Sequence, residues 1–222
     1  MDQAGRPLIA AGALLLAAFA ALTLAVLTGL PLGPDLAVER AVQAVPWGPL
    51  AAPFGVVDYL EGLRQVGVAV AVIAVTFLFN RRATLWALAC SLSAGAFQVL
   101  ELAVHRPRPP ASLVHVIRHA PTFSYPSGHT IFVTWAATVL VVAVVAVRWR
   151  RWTPLAAGLA VLVLAVVVVG RIYEGEHWPS DCLAGLLLGG GWTLLTLGLP
   201  RIGRPVLTIA AEARFRPARR PT

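Results

Sequence analysis

Three short polar clusters hold the side chains of this 222-residue chain that are best suited to chemistry. The second in chain order, Pro126-Ser127-Gly128-His129, has the makings of an anion site. Proline stops a loop, Ser127 can cap a helix, and Gly128 lets the backbone approach a ligand closely. The free N–H groups of such a helix start attract negative charge, and His129 in the first turn could pass a proton to an oxygen leaving a phosphate. An ordinary helix N-cap with an exposed histidine would use the same residues. The third cluster, Gly170 to Asp181, sets His177 and Asp181 four residues apart, so that they meet on one helical face. An aspartate bonded to one ring nitrogen frees the other as a nucleophile. Pro179 belongs in a helix's first turn, which puts Asp181 near a helix start and His177 just outside it. Arg171, six residues before His177, could grip phosphate with two parallel bonds. An interfacial His–Asp pair beside a Trp178 anchor would explain the location but not the arginine. In the first cluster, Glu101 and His105 precede Arg106-Pro107-Arg108-Pro109-Pro110, where the prolines keep the chain extended. Those arginines could clamp phosphate oxygens, or simply meet lipid head groups.

The elements that must position these groups are membrane helices. The composition is 58% hydrophobic and only 13% charged, against roughly 25% charged in soluble domains. Six segments approach the roughly 20 apolar residues needed to cross a bilayer: about 8–30, 65–79, 83–104, 129–147, 154–170 and 182–199. The first is too long for a signal peptide's apolar region and lacks a polar cleavage segment, so it reads as a retained helix. The expected fold is therefore all-α, a single six-helix transmembrane domain over 1–222 with short interfacial helices in the first outer loop. There, Asp35 can cap a helix that holds Leu36, Val38, Val42 and Val45 on one face, lies in the membrane interface and turns Glu39, Arg40 and Gln43 to water. Such a segment is a lid, a lipid entry ramp or a plain connector. Trp47, Trp149, Trp152 and Trp178 fall at helix ends, as interfacial aromatics do.

All 18 basic residues are arginine, against 10 acidic residues, so the chain lacks the mixed Lys/Arg face of a nucleic-acid binder. Arg6, Arg81, Arg82, Arg148, Arg150, Arg151, Arg201, Arg204, Arg214, Arg216, Arg219 and Arg220 share one side of the helical zigzag. The positive-inside rule makes that side cytoplasmic, with both termini and an Arg-rich tail over 205–222. Arg106, Arg108, Arg118 and Arg171 lie on the opposite side, with the reactive loops. The lysine-free, Ala/Val/Leu/Arg-rich composition suggests a GC-rich bacterial genome, hence a bacterial inner membrane with an extracytoplasmic site. Cys90 and Cys182 sit in apolar runs as small hydrophobes, and no disulfide is expected. Gly185 and Gly189 form a small-residue face that suits packing within a bundle or dimerisation.

Together the clusters resemble the three motifs of the type 2 phosphatidic acid phosphatase (PAP2) family, the lipid phosphate phosphatases: K-x6-R-P, P-S-G-H and S-R-x5-H-x3-D. The second motif matches in full at 126–129, and the third matches at Arg171, His177 and Asp181. The resemblance implies that His177 attacks phosphorus while Asp181 holds its ring, and that His129 is the acid and then the base. It also implies that Arg108, Arg171 and the amides near Ser127 and Gly128 stabilise the phosphoryl oxygens. The implied partner is a lipid phosphate in the bilayer: a polyprenyl diphosphate, phosphatidic acid or phosphatidylglycerol phosphate. No cofactor or metal is implied, and the sequence displays no tight carboxylate cluster to hold one.

Two positions depart from the pattern. Gly170 replaces a serine, and Glu101 stands where the register set by Arg108-Pro109 calls for lysine. Glu101 is therefore expected to turn toward Arg106, Arg108 or His105 and orient them, with one of these or Arg118 supplying the missing positive charge. A phosphotransferase with the same site, or a catalytically silent lipid-binding protein, are the alternatives.

Overall fold

A computed structural model describes residues 5–29 and 32–208. Leu30 and most of the Arg-rich tail, including Arg214, Arg216, Arg219 and Arg220, lie outside the described residues. The order is α1 (Gly5–Leu27), α2 (Leu32–Ala44), α3 (Ala52–Val57), α4 (Gly62–Phe79), α5 (Thr84–Val104), α6 (Gly128–Val139), α7 (Ala146–Arg148), α8 (Thr153–Tyr173) and α9 (Pro179–Gly198). No strand occurs among the described residues. Six spans are long and apolar enough to cross a bilayer, and the protein is a multi-pass membrane protein. Every span starts earlier than expected of the sequence. The fifth span continues to Tyr173, which takes Arg171 into the last helical turn, and the sixth begins at Pro179.

α6 and α9 form the centre, and α1, α4 and much of α8 turn apolar residues outward to lipid. Phe132, Trp135 and Val139 of α6 are buried in one cluster with Trp86, Ala87 and Cys90 of α5. Between α6 and α7 the helix widens into a π turn over Leu140–Val145, and Asn80 Nδ2 donates to the Ala143 carbonyl at 2.9 Å. That bond satisfies a backbone group where the regular ladder is disturbed, as hydrocarbon requires.

The small-residue face of α9 is used inside the chain. A methyl group on Gly185 would lie 2.9 Å from the Ser127 carbonyl oxygen, and one on Gly189 would lie 3.1 Å from Thr134 Cβ. A methyl group on Gly12 of α1 would lie 2.5 Å from the Leu195 amide nitrogen, so α1 also packs backbone to backbone on α9. Both cysteines are free and buried.

The first outer segment is helical, with Arg40 exposed as expected, but Glu39 is turned inward instead of to water. Asp35 and Glu39 are buried, while Val38 and Val45 are exposed. Glu39 can turn inward because the interior of the bundle at this end is polar, while Val38 and Val45 suit an apolar surrounding. Arg40 donates to the Leu113 carbonyl, and Gln43 Nε2 donates to the His115 and Tyr173 carbonyls at 2.7 and 3.1 Å. Asp35 does not cap its own helix. Its Oδ1 accepts from the Ser180 amide at 2.8 Å, so it caps α9 instead. Trp149 and Trp152 are half exposed at the arginine-rich end, as interfacial residues should be, whereas Trp178 is buried.

Candidate active site

All three polar clusters converge at one end of the bundle, around a cavity of 340 Å³. His129, His177, Arg108, Gly128 and Glu101 line it, together with Glu61, Gln65, Gln98, Glu176 and the apolar Phe97 and Phe123. Each side chain is held by loop contacts that follow from the prolines and turns around it.

His177 sits in the turn between α8 and α9. Its amide and that of Glu176 donate to the Arg171 carbonyl, closing the chain back on the last turn of α8. Gly175 makes the reversal with φ of +70°, and a side chain there would meet the His115 carbonyl at 2.7 Å. The ring's Nδ1 lies 2.7 Å from the Ser124 carbonyl. A carbonyl can only accept, so Nδ1 carries the proton and Nε2 keeps its lone pair. Asp181 is farther, with Oδ2 at 3.8 Å from Nδ1. The expected Asp181–ring bond is thus replaced by Ser124, because Asp181 is committed elsewhere: Oδ2 accepts the Trp178 amide at 2.9 Å and Oδ1 pairs with Arg106 at 2.5 Å. Asp181 remains a buried negative charge near the ring.

His129 occupies the first turn of α6, as its motif suggested. Its Nε2 is buried and has no hydrogen-bond partner among the described residues. Ser127 is the N-cap residue but its side chain does not cap; its hydroxyl accepts from Thr130, and its amide donates to the Asp181 carbonyl at 3.1 Å. Gly128 and His129 then hold the first-turn N–H groups that lack an intrahelical acceptor.

The arginines separate into distinct tasks. Arg108 lines the cavity, fixed by the Thr122 carbonyl and hydroxyl, both at 3.0 Å, and by the Glu176 carbonyl at 2.7 Å. Burial pulls its guanidinium below its ordinary pKa, opposed by the Glu176 and Glu101 charges. Arg106 lies behind the site, bonded to Asp35 and Ser180, both at 2.7 Å, and to Asp181, with its guanidinium over the Trp178 ring. Only Arg108 therefore suits the motif register. Arg171 is fully buried among the carboxylates of Glu176, Asp58 and Glu174, and does not line the cavity. Burial raises Glu174 to about 7 despite Arg171, which eases the surplus of negative charge there.

Glu101 acts on Arg108 through its charge but makes no direct bond to it. Among the described residues no hydrogen bond or ion pair joins its carboxylate to Arg106, Arg108 or His105. His105 has φ of +52°, closes α5 and packs edge-on against Phe123. Arg118 does not replace the missing lysine either. It bridges Asp58 at 2.5 Å, Glu176 at 3.4 Å and Glu61 at 3.5 Å, and the Asp58 hydrogen bond raises its pKa. Carboxylate oxygens of Asp58, Glu61 and Glu176 lie within 4.8 Å of one another. The absence of a tight carboxylate cluster was thus a misreading: tertiary contacts assemble one, and arginine guanidiniums balance it.

Sequence reasoning gave no role to Asp58, Glu61, Glu174, Glu176, Thr122 or Ser124. One signal was present. Of the 10 acidic residues, all but Asp2 and Glu212 belong to segments at this end of the bundle. Ser124 acts through its backbone and carried no signal.

Six membrane spans around a cavity where two histidines, an arginine and a helix N-terminus face one another define a membrane protein suited to holding an anionic group. The PAP2 superfamily profile matches residues 83–202, which include every one of those groups. The chain belongs to the PAP2 superfamily. It is 32% identical over 90 residues to an undecaprenyl-diphosphatase of Sulfolobus acidocaldarius, a match covering 40% of each chain. It is 41% identical over 76 residues to a putative undecaprenyl-diphosphatase of Escherichia coli, covering 33% of each. A phosphatidylglycerophosphatase B of Haemophilus influenzae is 39% identical over 83 residues, covering 36% of this chain and 33% of that one. The chain thus spans 33% to 40% of the length of these relatives. The fold matches the crystal structure of a transmembrane PAP2-type phosphatidylglycerolphosphate phosphatase from Bacillus subtilis, with a TM-score of 0.67 at 22% identity over 93% of this chain and 99% of that one.

Proposed function

We propose that this protein is a lipid phosphate phosphatase that works through a phosphohistidine intermediate. The observation that carries the reading is the shared cavity of His129 and His177, with Arg108 and the first-turn amides of α6 around it. Nε2 of His177 attacks phosphorus, forming the N–P bond as the P–O bond to the lipid breaks. His129 gives its proton to the departing oxygen. Water then attacks the phosphohistidine, His129 takes a proton from it, and the N–P bond breaks to release phosphate. Ser124 keeps the attacking ring oriented, and the Asp181 charge steadies the cationic phosphoimidazole. Arg108 and the Gly128 and His129 amides stabilise charge on the phosphoryl oxygens. Arg171 holds the His177 turn through its carbonyl in the resting arrangement. It reaches phosphate only if it exchanges Glu176 for a phosphoryl oxygen.

A lipid substrate is favoured by the surroundings of the cavity. α4 and α5 form one of its walls and expose Leu63, Val66, Val99 and Leu102, so a tail can stay in the bilayer while the phosphate enters. Phosphatidylglycerol phosphate, phosphatidic acid and polyprenyl diphosphates are the candidate substrates, and the site faces the outside of a bacterial inner membrane. Purified protein is expected to release inorganic phosphate from a panel of these lipids in the presence of EDTA, and His177→Ala to abolish release. No turnover of any lipid, with the lipid still bound, would favour a silent binding protein and sink the enzyme reading.

A further inference from the structure

The cavity has two chemically different walls. His177, His129, Arg108 and the amide end of α6 line one part of it; Glu61, just ahead of α4, with Gln65 of α4 and Gln98 and Glu101 of α5, lines another. The second wall is made of hydrogen-bond acceptors and amides, and it adjoins the outward apolar faces of α4 and α5, where the lipid tail must leave the cavity. Whatever lies between the reacting phosphorus and the tail therefore faces Glu101 and its neighbours.

The carboxylates differ in how far they are neutralised. Glu176 pairs with Arg171 at 2.7 Å and with Arg118 at 3.4 Å, and Glu61 pairs with Arg118 at 3.5 Å. Glu101 makes no ion pair among the described residues and feels the Arg108 charge only at longer range; Arg108 is the one arginine among those lining the cavity, and it is already held by the Thr122 and Glu176 carbonyls. A single phosphate brings a charge of about −1.5 to −2, which Arg108, the histidines and the α6 amides can meet. A second phosphate on the leaving-group side would meet the Glu101 carboxylate, with Arg108 as the one arginine in the cavity to offset both phosphates. A hydroxyl in the same place would donate a hydrogen bond to it.

We propose that Glu101 is a specificity-determining residue that favours phosphomonoesters whose leaving alcohol carries a neighbouring hydroxyl and disfavours diphosphates. The inference rests on the lipid phosphatase reading and refines it. Discrimination of this kind combines an attractive contact for one substrate with a repulsive one for the other. Sites that hydrogen-bond a substrate hydroxyl also reject analogues lacking it, because their own polar group is then left unpaired.

The test compares kcat/KM for three lipids in one mixed-micelle system: phosphatidylglycerol phosphate, which has a hydroxyl beside the ester; phosphatidic acid, which has none; and a polyprenyl diphosphate. Wild type is expected to prefer the first over the diphosphate by at least about tenfold, the loss expected for one charged hydrogen bond, with phosphatidic acid between them. Glu101→Lys should invert the order, and Glu101→Gln should relieve the penalty on the diphosphate while keeping most of the activity on the hydroxylated ester. Glu101 is half exposed near the end of α5, and unchanged thermal unfolding will show that both variants fold. A wild type that hydrolyses the diphosphate as well as or better than the hydroxylated ester overturns the proposal. So does a preference that folded Glu101→Lys leaves unchanged. Release from none of the three by wild type instead sinks the lipid phosphatase reading, and this inference with it.

Discussion

Replacing Asp35 with alanine tests whether the first outer helix is part of the site or merely a connector. The carboxylate is buried, and its Oδ2 accepts from Arg106 at 2.7 Å and from the Ser180 hydroxyl at 2.6 Å, while Oδ1 caps α9 through the Ser180 amide at 2.8 Å. Breaking a buried ion pair by removing one partner costs about 3 to 5 kcal/mol. Arg106 keeps Asp181 as a partner, so the lower end, about 3 kcal/mol, applies to the pair and includes much of the roughly 1 kcal/mol of a lost cap. For a chain of this size that lowers Tm by roughly 6 to 12 °C. Asp35→Asn retains an acceptor for the Ser180 amide and should fall between alanine and wild type. Cys90 and Cys182 are free and buried, so a thiol-reactive dye reports unfolding in detergent without added labels. Activity should fall as well, because the α9 terminus that Asp35 pins carries Asp181 and follows His177 directly. Combining Asp35→Ala with Arg106→Met should give less than the sum of the single effects. A Tm change under about 2 °C or strict additivity would refute the reasoning and return α2 to the role of connector.

Three further outcomes are expected. Burial, with the nearby Asp35 and Asp181 charges, raises Glu39 to about 8, and neither of its oxygens has a partner among the described residues. A raised carboxyl pKa means that the folded state keeps a proton the unfolded chain releases, so its stabilising contribution is complete below the unfolded value and is lost as pH rises toward 8. Glu39→Gln should flatten that decline between pH 5 and 8 in thermal unfolding; a slope equal to that of wild type would rule it out. Arg108→Gln removes a charged contact to the phosphoryl oxygens and should lower kcat/KM by roughly 10- to 150-fold; a change under about threefold would remove Arg108 from the phosphate site. A tag on the C-terminus of cells carrying the protein should be inaccessible from outside, and external labelling would overturn the proposed orientation.

Much of this protein was legible in its residues. The six spans follow from apolar length alone, since hydrocarbon leaves no alternative for the backbone. The helix start at Gly128 and the placement of His177 just ahead of α9 follow from Pro126 and Pro179, whose local restrictions act regardless of the rest of the fold. The division of the arginines between the two ends of the bundle followed from their order between spans. Local pattern also misled in places. Helical spacing directed Glu39 to water, and at this end of the bundle the polar interior takes it instead.

What the tertiary structure alone decided is which partner each charge takes. Asp35 reaches Ser180 across 145 positions, and Arg106 joins Asp35 to Asp181. Ser124 takes the ring bond that spacing had assigned to Asp181, Arg118 gathers the Asp58, Glu61 and Glu176 carboxylates, and Glu101 is left facing the cavity without an ion pair among the described residues. Helical spacing constrains neighbours three or four residues apart, whereas the strong interactions of buried charges are between loops whose approach is set by packing. The sequence determined that two histidines, an arginine and a helix N-terminus would meet at one end of a membrane bundle; only the packing of α2, α4 and α5 around them decided what else that cavity contains.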